Sequence, residues 1–137
     1  MYTLYYSPGA CSMAVHILLE ELGASYEAVK VDLRAGEGQK PEFLKLNPRG
    51  QVPVLVEDGA PLKEGAAIII HLLEQHNSPL LPKDGPERAA ALEWICWCNA
   101  TLHPAYGRAM WLKRNVADEK ILEDRHSKRH ACTWGCG

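Results

Sequence analysis

The stretch Leu4–Gly23, LYYSPGACSMAVHILLEELG, predicts a short strand and a helix separated by a turn. Residues 3–6 are rich in types that favour strands, and the Ser-Pro-Gly tripeptide that follows ends the strand. Apolar side chains then recur every three to four residues, which predicts an amphipathic helix that ends at Gly23. Cys11 lies at the junction between the predicted strand and the predicted helix.

The residues after this helix predict the rest of an α/β domain. Val29, Val31 and Leu33 alternate with charged residues, which predicts a second strand with one buried face. The turn pair Asp58-Gly59 lies between two apolar runs and indicates a hairpin. The remaining predicted elements are a short helix at 41–46, strands at 54–57 and 60–63, and a helix at 66–76. The order β-α-β-α-β-β-α is that of a thioredoxin-like domain.

The composition is that of an ordinary globular protein, with 47% hydrophobic and 23% charged residues. A net charge of −2 argues against nucleic-acid and membrane-surface partners. No apolar run approaches the length of a membrane span, and the first residues lack the basic region of a secretory signal. We therefore predict a cytoplasmic protein. The five irregularly spaced cysteines do not indicate a disulfide framework.

The chain changes in character after residue 77. Three prolines predict a linker over 78–86, and from Glu87 onward a period of about 3.6 residues predicts helices. We therefore predict a thioredoxin-like domain at 1–77 and an all-α domain at 87–137. Residues 125–137 lose the helical period, so we expect a disordered or loosely packed tail after Asp124.

This tail also holds four possible metal ligands, which are His126, His130, Cys132 and Cys136. Zinc modules hold their histidines and cysteines at characteristic spacings, and H-x3-H-x-C-x3-C matches none that we can justify. We therefore predict no metal site.

Cys11 is the first candidate for chemistry. At a helix start, unpaired backbone N–H groups and the helix dipole favour an anion, which lowers the pKa of a thiol or stabilises a thiolate brought by a ligand. The alternative is a small buried hydrophobic residue. Ala14 stands where a C-x-x-C dithiol would need its second cysteine, so the site suits a partner with its own sulfur. We expect Cys11 to alkylate faster than Cys96 and Cys98.

Two further positions are candidates for binding an extended ligand. If the Val52-Pro53 bond is cis, the N–H and C=O of Val52 face out of the sheet and can pair with a peptide; the alternative is a trans proline that opens an edge strand. Glu64-Gly65 opens a helix, where N–H groups bind a carboxylate and Glu64 can pair with an ammonium. The alternative for Glu64 is a glutamate that only complements the helix dipole.

A polar stripe on the later helix is the last candidate. Leu92, Cys96, Asn99 and His103 follow at spacings of four, three and four, so they share one helix face. This stripe predicts either a face that lines a cleft or a face packed on a partner subunit.

Four motifs together resemble the bacterial cysteine-type (beta) class of glutathione S-transferases: YYSPGACS, NPRGQVPVL, EGAAIIIHLLE and LEWICWCNATLHPAY. The resemblance covers about residues 1–115. It implies a thioredoxin-like domain that binds glutathione as co-substrate, and a helical domain that forms the pocket for a small electrophile and the contact of a homodimer. The implied activity is detoxification, in which the glutathione thiol is activated to attack an electrophile.

The resemblance also implies individual roles. Cys11 lies next to the glutathione sulfur and can form a mixed disulfide with it, Ser12 hydrogen-bonds the thiolate, and His103 points at the sulfur from the second domain. Val52 pairs with the cysteinyl backbone, Glu64-Gly65 hold the γ-glutamyl group, and Arg34 is a weaker match for the residue near the glycyl carboxylate. The full set of implied glutathione-binding residues is Arg34, Gln51, Val52, Pro53, Glu64 and Gly65.

Two other functions stay open beside this one. The first is a glutathione-dependent thiol–disulfide oxidoreductase that works through Cys11, and the second is a non-catalytic glutathione- or partner-binding module. A complete transferase of this kind continues with several more helices after residue 115, so we expect a C-terminally truncated, incomplete helical domain with impaired activity. We also expect Leu92, Ile95 and Leu102 to lose packing partners and to promote association of copies.

Overall fold

The computed structural model describes residues 1–115 of the chain. The elements are β1 (Tyr2–Tyr6), α1 (Ser12–Glu21), β2 (Tyr26–Lys30), a 3-10 turn (Glu37–Gln39), α2 (Pro41–Leu46), β3 (Val54–Glu57), β4 (Ala60–Lys63), α3 (Gly65–Gln75), α4 (Gly85–Trp97), a π-helical turn (Cys98–Leu102) and α5 (His103–Asn115). The predicted order β-α-β-α-β-β-α is confirmed over the first seven main elements. The chain divides into two compact units, of which the first covers Met1–Asn99 and the second begins at Ala100.

The four strands form one mixed sheet in the order β2-β1-β3-β4. β1 pairs in parallel with β2 and antiparallel with β3, and β3 pairs antiparallel with β4. Leu4 of β1 lies opposite Leu55 of β3, and both side chains are buried at the centre of the sheet. The predicted hairpin at Asp58-Gly59 is confirmed, because both residues take the left-handed φ angles, 49° and 81°, of a two-residue turn that follows the twist of its strands.

The predicted second strand is displaced in the structure. β2 covers Tyr26–Lys30, so the predicted strand residues Val31 and Leu33 lie beyond its end. The chain turns there because the Asp32 carboxylate accepts the backbone N–H groups of Arg34 and Ala35, each at 3.0 Å. An aspartate that bonds the backbone two residues on stabilises a turn rather than a strand, and this local bond overrides the alternating pattern.

Helices cover both faces of the sheet. A larger buried cluster joins α1 and α3 to one face, and its members are Leu4, Val15, Leu18, Leu19, Leu55, Ile68, Leu72, Leu73 and Leu81. A smaller cluster, Val31, Phe43, Val52 and Val54, includes the buried phenylalanine of α2. The larger cluster holds α1 against the end of β1, where Cys11 lies, and the smaller cluster holds the chain that enters β3.

Part of α4 packs on the first unit. Its half-buried Leu92 and Ile95 lie against the larger buried cluster. The expectation that these two residues lack packing partners is therefore wrong, because the side of the sheet domain formed by α1 and α3 supplies an apolar surface for them. Trp94 of the same helix is 65% exposed, and Leu102 in the π-helical turn is 49% exposed.

Among residues 1–115, no helix is both long enough and apolar enough to cross a membrane. The expected tail after Asp124 and the four possible metal ligands His126, His130, Cys132 and Cys136 lie outside the described residues. Within the described part of the chain, no group of three or more histidine, cysteine or acidic side chains could hold a metal ion.

Candidate functional site

Cys11 is the residue that precedes the first turn of α1, with helical angles of φ −60° and ψ −17°. It is exposed, and its thiol donates a hydrogen bond to the backbone carbonyl of Val52 at 3.5 Å. Forty-one residues separate the two groups in the sequence. The fold therefore joins two of the predicted site motifs, the helix start and the proline loop, at the Cys11 sulfur.

The electrostatic surroundings of Cys11 differ from the prediction. Although the residue as a whole is exposed, partial burial of its sulfur raises the pKa of the Cys11 thiol, and the Glu64 carboxylate raises it further. The backbone N–H groups of Cys11 and Ser12 lower the same pKa, as a helix start should, but they do not outweigh the burial. The predicted lowering of the thiol pKa is therefore wrong for Cys11 in this structure, and the reason for expecting faster alkylation at neutral pH is lost.

Alkylation of Cys11 by iodoacetamide should accelerate at a higher pH than alkylation of an ordinary thiol. The reason is that only the thiolate reacts, and the pKa of the Cys11 thiol is raised. Glu64→Gln removes a carboxylate that disfavours the thiolate, so its pH midpoint should shift downward. Glu74→Gln, which changes a carboxylate paired with Arg88 elsewhere on α3, is the control and should leave the midpoint unchanged. Mass spectrometry of the labelled Cys11 peptide measures both. Equal midpoints in wild type and Glu64→Gln would contradict this assignment.

Ser12 has a structural task in the loop that precedes it. Its fully buried hydroxyl accepts the N–H of Ser7 at 3.2 Å and donates to the carbonyl of Ser7 at 3.2 Å. The hydroxyl donates to Ser7 in this structure, and the hydrogen bond to a thiolate that the resemblance implies stays a prediction. Ser12 closes the Ser-Pro-Gly break on α1 and fixes the position of Cys11.

A buried asparagine shapes the loop on the other side of the sulfur. Asn47 is 3% exposed, and its side chain donates to the carbonyl of Gln51 at 2.7 Å and accepts the N–H of Arg49 at 3.2 Å. The loop leads into the Val52–Pro53 bond, which is cis, so of the two alternatives given by the sequence the trans proline is excluded. Asn47 was not predicted as a site residue, although an asparagine before Pro-Arg-Gly is a turn signal that could have identified it.

Gly50 packs this loop onto the rest of the domain. It has a left-handed φ of +64°, and its N–H donates to the carbonyl of Asn47 at 2.9 Å. A Cβ placed on Gly50 would lie 2.7 Å from the carbonyl oxygen of Gly38, in the 3-10 turn Glu37–Gln39. The two backbones therefore approach closely, and the 3-10 turn supports the loop that presents Gln51 and Val52.

Glu64 and Gly65 lie at the start of α3, beside the same loop. Glu64 precedes the first helical residue with a φ of +71°, an uncommon angle for a residue with a side chain. A Cβ on Gly65 would contact only the Pro53 ring, at 3.8 Å. The Glu64 carboxylate forms an ion pair with the guanidinium of Arg49. This pair was not predicted from the sequence.

The remaining predicted residues stand as follows. Arg34 is exposed in the turn that Asp32 organises, and its backbone N–H is used in that turn. His103 is exposed at the first position of α5, in the second compact unit, and its place near Cys11 stays a prediction. Cys96 is exposed on α4. The structure thus brings together Cys11, Val52, Pro53, Glu64 and Gly65.

A four-stranded thioredoxin-like sheet with an exposed thiol at the start of its first helix, beside a proline loop, defines the class of thioredoxin-like thiol domains. A sequence model described as "Glutathione S-transferase, N-terminal domain" matches residues 1–74. The chain belongs to the glutathione S-transferase family.

Individual relatives agree with this assignment. A glutathione S-transferase of Xanthomonas campestris pv. campestris is 36% identical over 91% of this chain and 63% of its own length. A disulfide-bond oxidoreductase of Escherichia coli is 34% identical over 79% of this chain and 53% of its own length. A glutathione transferase homologue from Sulfitobacter, solved with bound glutathione, superposes with a TM-score of 0.76 at 33% identity, over 90% of this chain and 61% of that one. The chain thus spans between half and two thirds of these relatives.

Proposed function

We propose that this chain binds glutathione across Cys11, Val52 and Glu64 and activates its thiol for attack on a small electrophile. The observation that supports this best is the hydrogen bond from the Cys11 thiol to the carbonyl of Val52, because it puts a thiol beside a backbone segment that can pair with a peptide. The Sulfitobacter homologue, which was solved with glutathione, supports the identity of the ligand.

In the proposed complex, the cysteinyl backbone of glutathione pairs with Val52, and its γ-glutamyl group lies at Glu64 and Gly65. Arg34 faces the glycyl carboxylate, with Gln51 and Pro53 beside the ligand. The glutathione sulfur then lies next to Cys11, where backbone N–H groups of the first α1 turn donate to a thiolate.

For the chemical step, we propose that the thiolate attacks the electrophilic carbon and forms a carbon–sulfur bond, while the leaving group departs with its electron pair. His103 supplies a further hydrogen bond to the sulfur in this scheme. Ser12 acts as a positioning residue, because its hydroxyl is used at Ser7.

We further place the chain in the cysteine-type beta class, supported by the motif YYSPGACS, in which cysteine occupies the helix start. We propose detoxification in the cytoplasm as its role and a homodimer as the assembly of the complete family fold. The domain boundaries 1–77 and 87–137, joined by the linker 78–86, belong to the same proposal.

A disulfide oxidoreductase is the second candidate function, favoured by the 34% identity to the Escherichia coli disulfide-bond oxidoreductase. In this reaction the Cys11 thiolate attacks a substrate disulfide, forms a mixed disulfide and releases one substrate thiolate. A glutathione thiolate then attacks the substrate sulfur of the mixed disulfide, which releases the Cys11 thiolate and leaves the second half of the substrate in a disulfide with glutathione. Glutathione is the nucleophile in the transferase reaction and the reductant in the oxidoreductase reaction.

We expect reduced glutathione to slow the alkylation of Cys11 and to leave the labelling of Cys96 and Cys98 unchanged, because Cys11 is the one of these three described cysteines that we place at the proposed binding surface. S-methylglutathione should protect Cys11 as well, which excludes chemical scavenging of the reagent by the free thiol. Mass-spectrometric labelling at several ligand concentrations measures the affinity. If glutathione and its S-methyl form leave the Cys11 rate unchanged, the proposed binding function is wrong.

A further inference from the structure

The ion pair between Arg49 and Glu64 lies beside the proposed position of the γ-glutamyl group. Arg49 is fixed at its backbone by the Asn47 side chain, and Glu64 is fixed by its place at the start of α3. Their side chains are 59% and 52% exposed, respectively. Water screens such a pair, so separating the two charged ends costs little.

The γ-glutamyl group carries one positive and one negative charge, and each can pair with the oppositely charged member of the Arg49–Glu64 pair. The group holds an ammonium and a carboxylate on one carbon, and the protein presents a carboxylate and a guanidinium in contact with each other. One protein ion pair and one zwitterion can therefore combine into two new ion pairs with no charge left over. Guanidinium and carboxylate also match in shape, because two parallel hydrogen bonds can join them.

We propose, on the basis of the proposed function, that Arg49 binds the α-carboxylate of the glutathione γ-glutamyl group while Glu64 binds its ammonium. Ligand binding opens the Arg49–Glu64 pair and exchanges it for these two contacts. Arg49 is thus a specificity residue for zwitterionic γ-glutamyl ligands.

The exchange has a consequence for selectivity. A ligand without the α-carboxylate would separate Glu64 from Arg49 and leave the guanidinium without an anionic partner. A ligand without the ammonium would leave the Glu64 carboxylate without a cationic partner. Each missing charge therefore lowers affinity through the residue that it would have paired with.

The experiment measures three ligands against the full chain by protection of Cys11 from alkylation. The ligands are glutathione, 4-aminobutyryl-cysteinyl-glycine, which lacks the α-carboxylate, and glutaryl-cysteinyl-glycine, which lacks the ammonium. We expect Arg49→Gln to lower the affinity for glutathione about five- to tenfold. The affinity for the aminobutyryl ligand should stay within about twofold of the wild-type value. Arg49→Lys should recover part of the loss, because it keeps the charge but not the two parallel hydrogen bonds.

Two further variants complete the design. Glu64→Gln should lower the affinity for glutathione and for the aminobutyryl ligand, but not the affinity for the glutaryl ligand. Arg88→Gln, which opens the ion pair with Glu74 on another part of the unit, is the matched control and should leave all three affinities unchanged. Thermal melting of each variant checks that the fold is kept.

The possible results separate the two proposals. If wild type does not bind glutathione, the proposed function fails and this inference fails with it. If wild type binds glutathione but Arg49→Gln weakens all three ligands equally, or none of them, the charge exchange is wrong while the proposed function stands.

Discussion

Cys11→Ser is expected to abolish disulfide reduction and to leave glutathione conjugation within about tenfold of wild type. In the proposed oxidoreductase reaction, disulfide reduction passes through a mixed disulfide on the Cys11 sulfur, and a serine hydroxyl cannot form it. The proposed conjugation needs only a thiolate on glutathione itself, which the backbone N–H groups at the start of α1 would still stabilise. Rates with an aryl chloride and with a small symmetrical disulfide, each in the presence of glutathione, measure the two activities.

The control for this experiment is Cys98→Ser, because Cys98 is also an exposed thiol but lies at the end of α4. It should leave both activities unchanged. Loss of conjugation and reduction together in Cys11→Ser would contradict the proposed transferase chemistry and favour the oxidoreductase. If glutathione protects Cys11 of the wild-type chain but the chain turns over neither substrate, the result would instead favour a binding module.

The fold was predictable because its strongest signals are local. Asp58-Gly59 specifies a turn through backbone angles that few residues adopt, and its neighbours were correctly placed on β3 and β4. The second strand was placed too far along the chain because Val31 and Leu33 continue its alternation. The pairing with β1 ends at Val31, whose N–H donates to the carbonyl of Tyr6 at 2.8 Å. The backbone bonds of the Asp32 side chain decide that boundary, and alternation does not report them.

The candidate site was predictable only in part, for a different physical reason. Cys11, Val52 and Glu64 each stand in a motif with its own chemistry, so each could be found separately. The Arg49–Glu64 pair depends on contact between residues fifteen positions apart, which no local pattern specifies. The pKa of the Cys11 thiol likewise depends on burial of the sulfur, which raises it and outweighs the lowering by the backbone N–H groups at the helix start.

Gly50→Ala is expected to destabilise the domain by about 2–4 kcal/mol. Part of the loss is the left-handed φ of +64°, which an alanine adopts only with strain. The larger part is steric, because the added Cβ would lie 2.7 Å from the carbonyl oxygen of Gly38 and would also overlap the Gln39 amide. A backbone oxygen cannot rotate away as a side chain can, so the loop or the 3-10 turn has to move. Urea unfolding followed by circular dichroism measures the change.

Gly23→Ala separates the two causes. Gly23 has a similar φ of +60°, but no atom lies within 4 Å of its Cβ position, so only the conformational cost of about 1 kcal/mol is expected. Gly50→Ala should also lower the affinity for glutathione under conditions where the variant stays folded, because the displaced loop holds Arg49 and Val52. Gly23→Ala should leave binding unchanged. Equal losses of stability in the two variants would mean that the close approach of Gly50 to Gly38 is not what requires a glycine, and that the 3-10 turn does not hold the loop in its binding position.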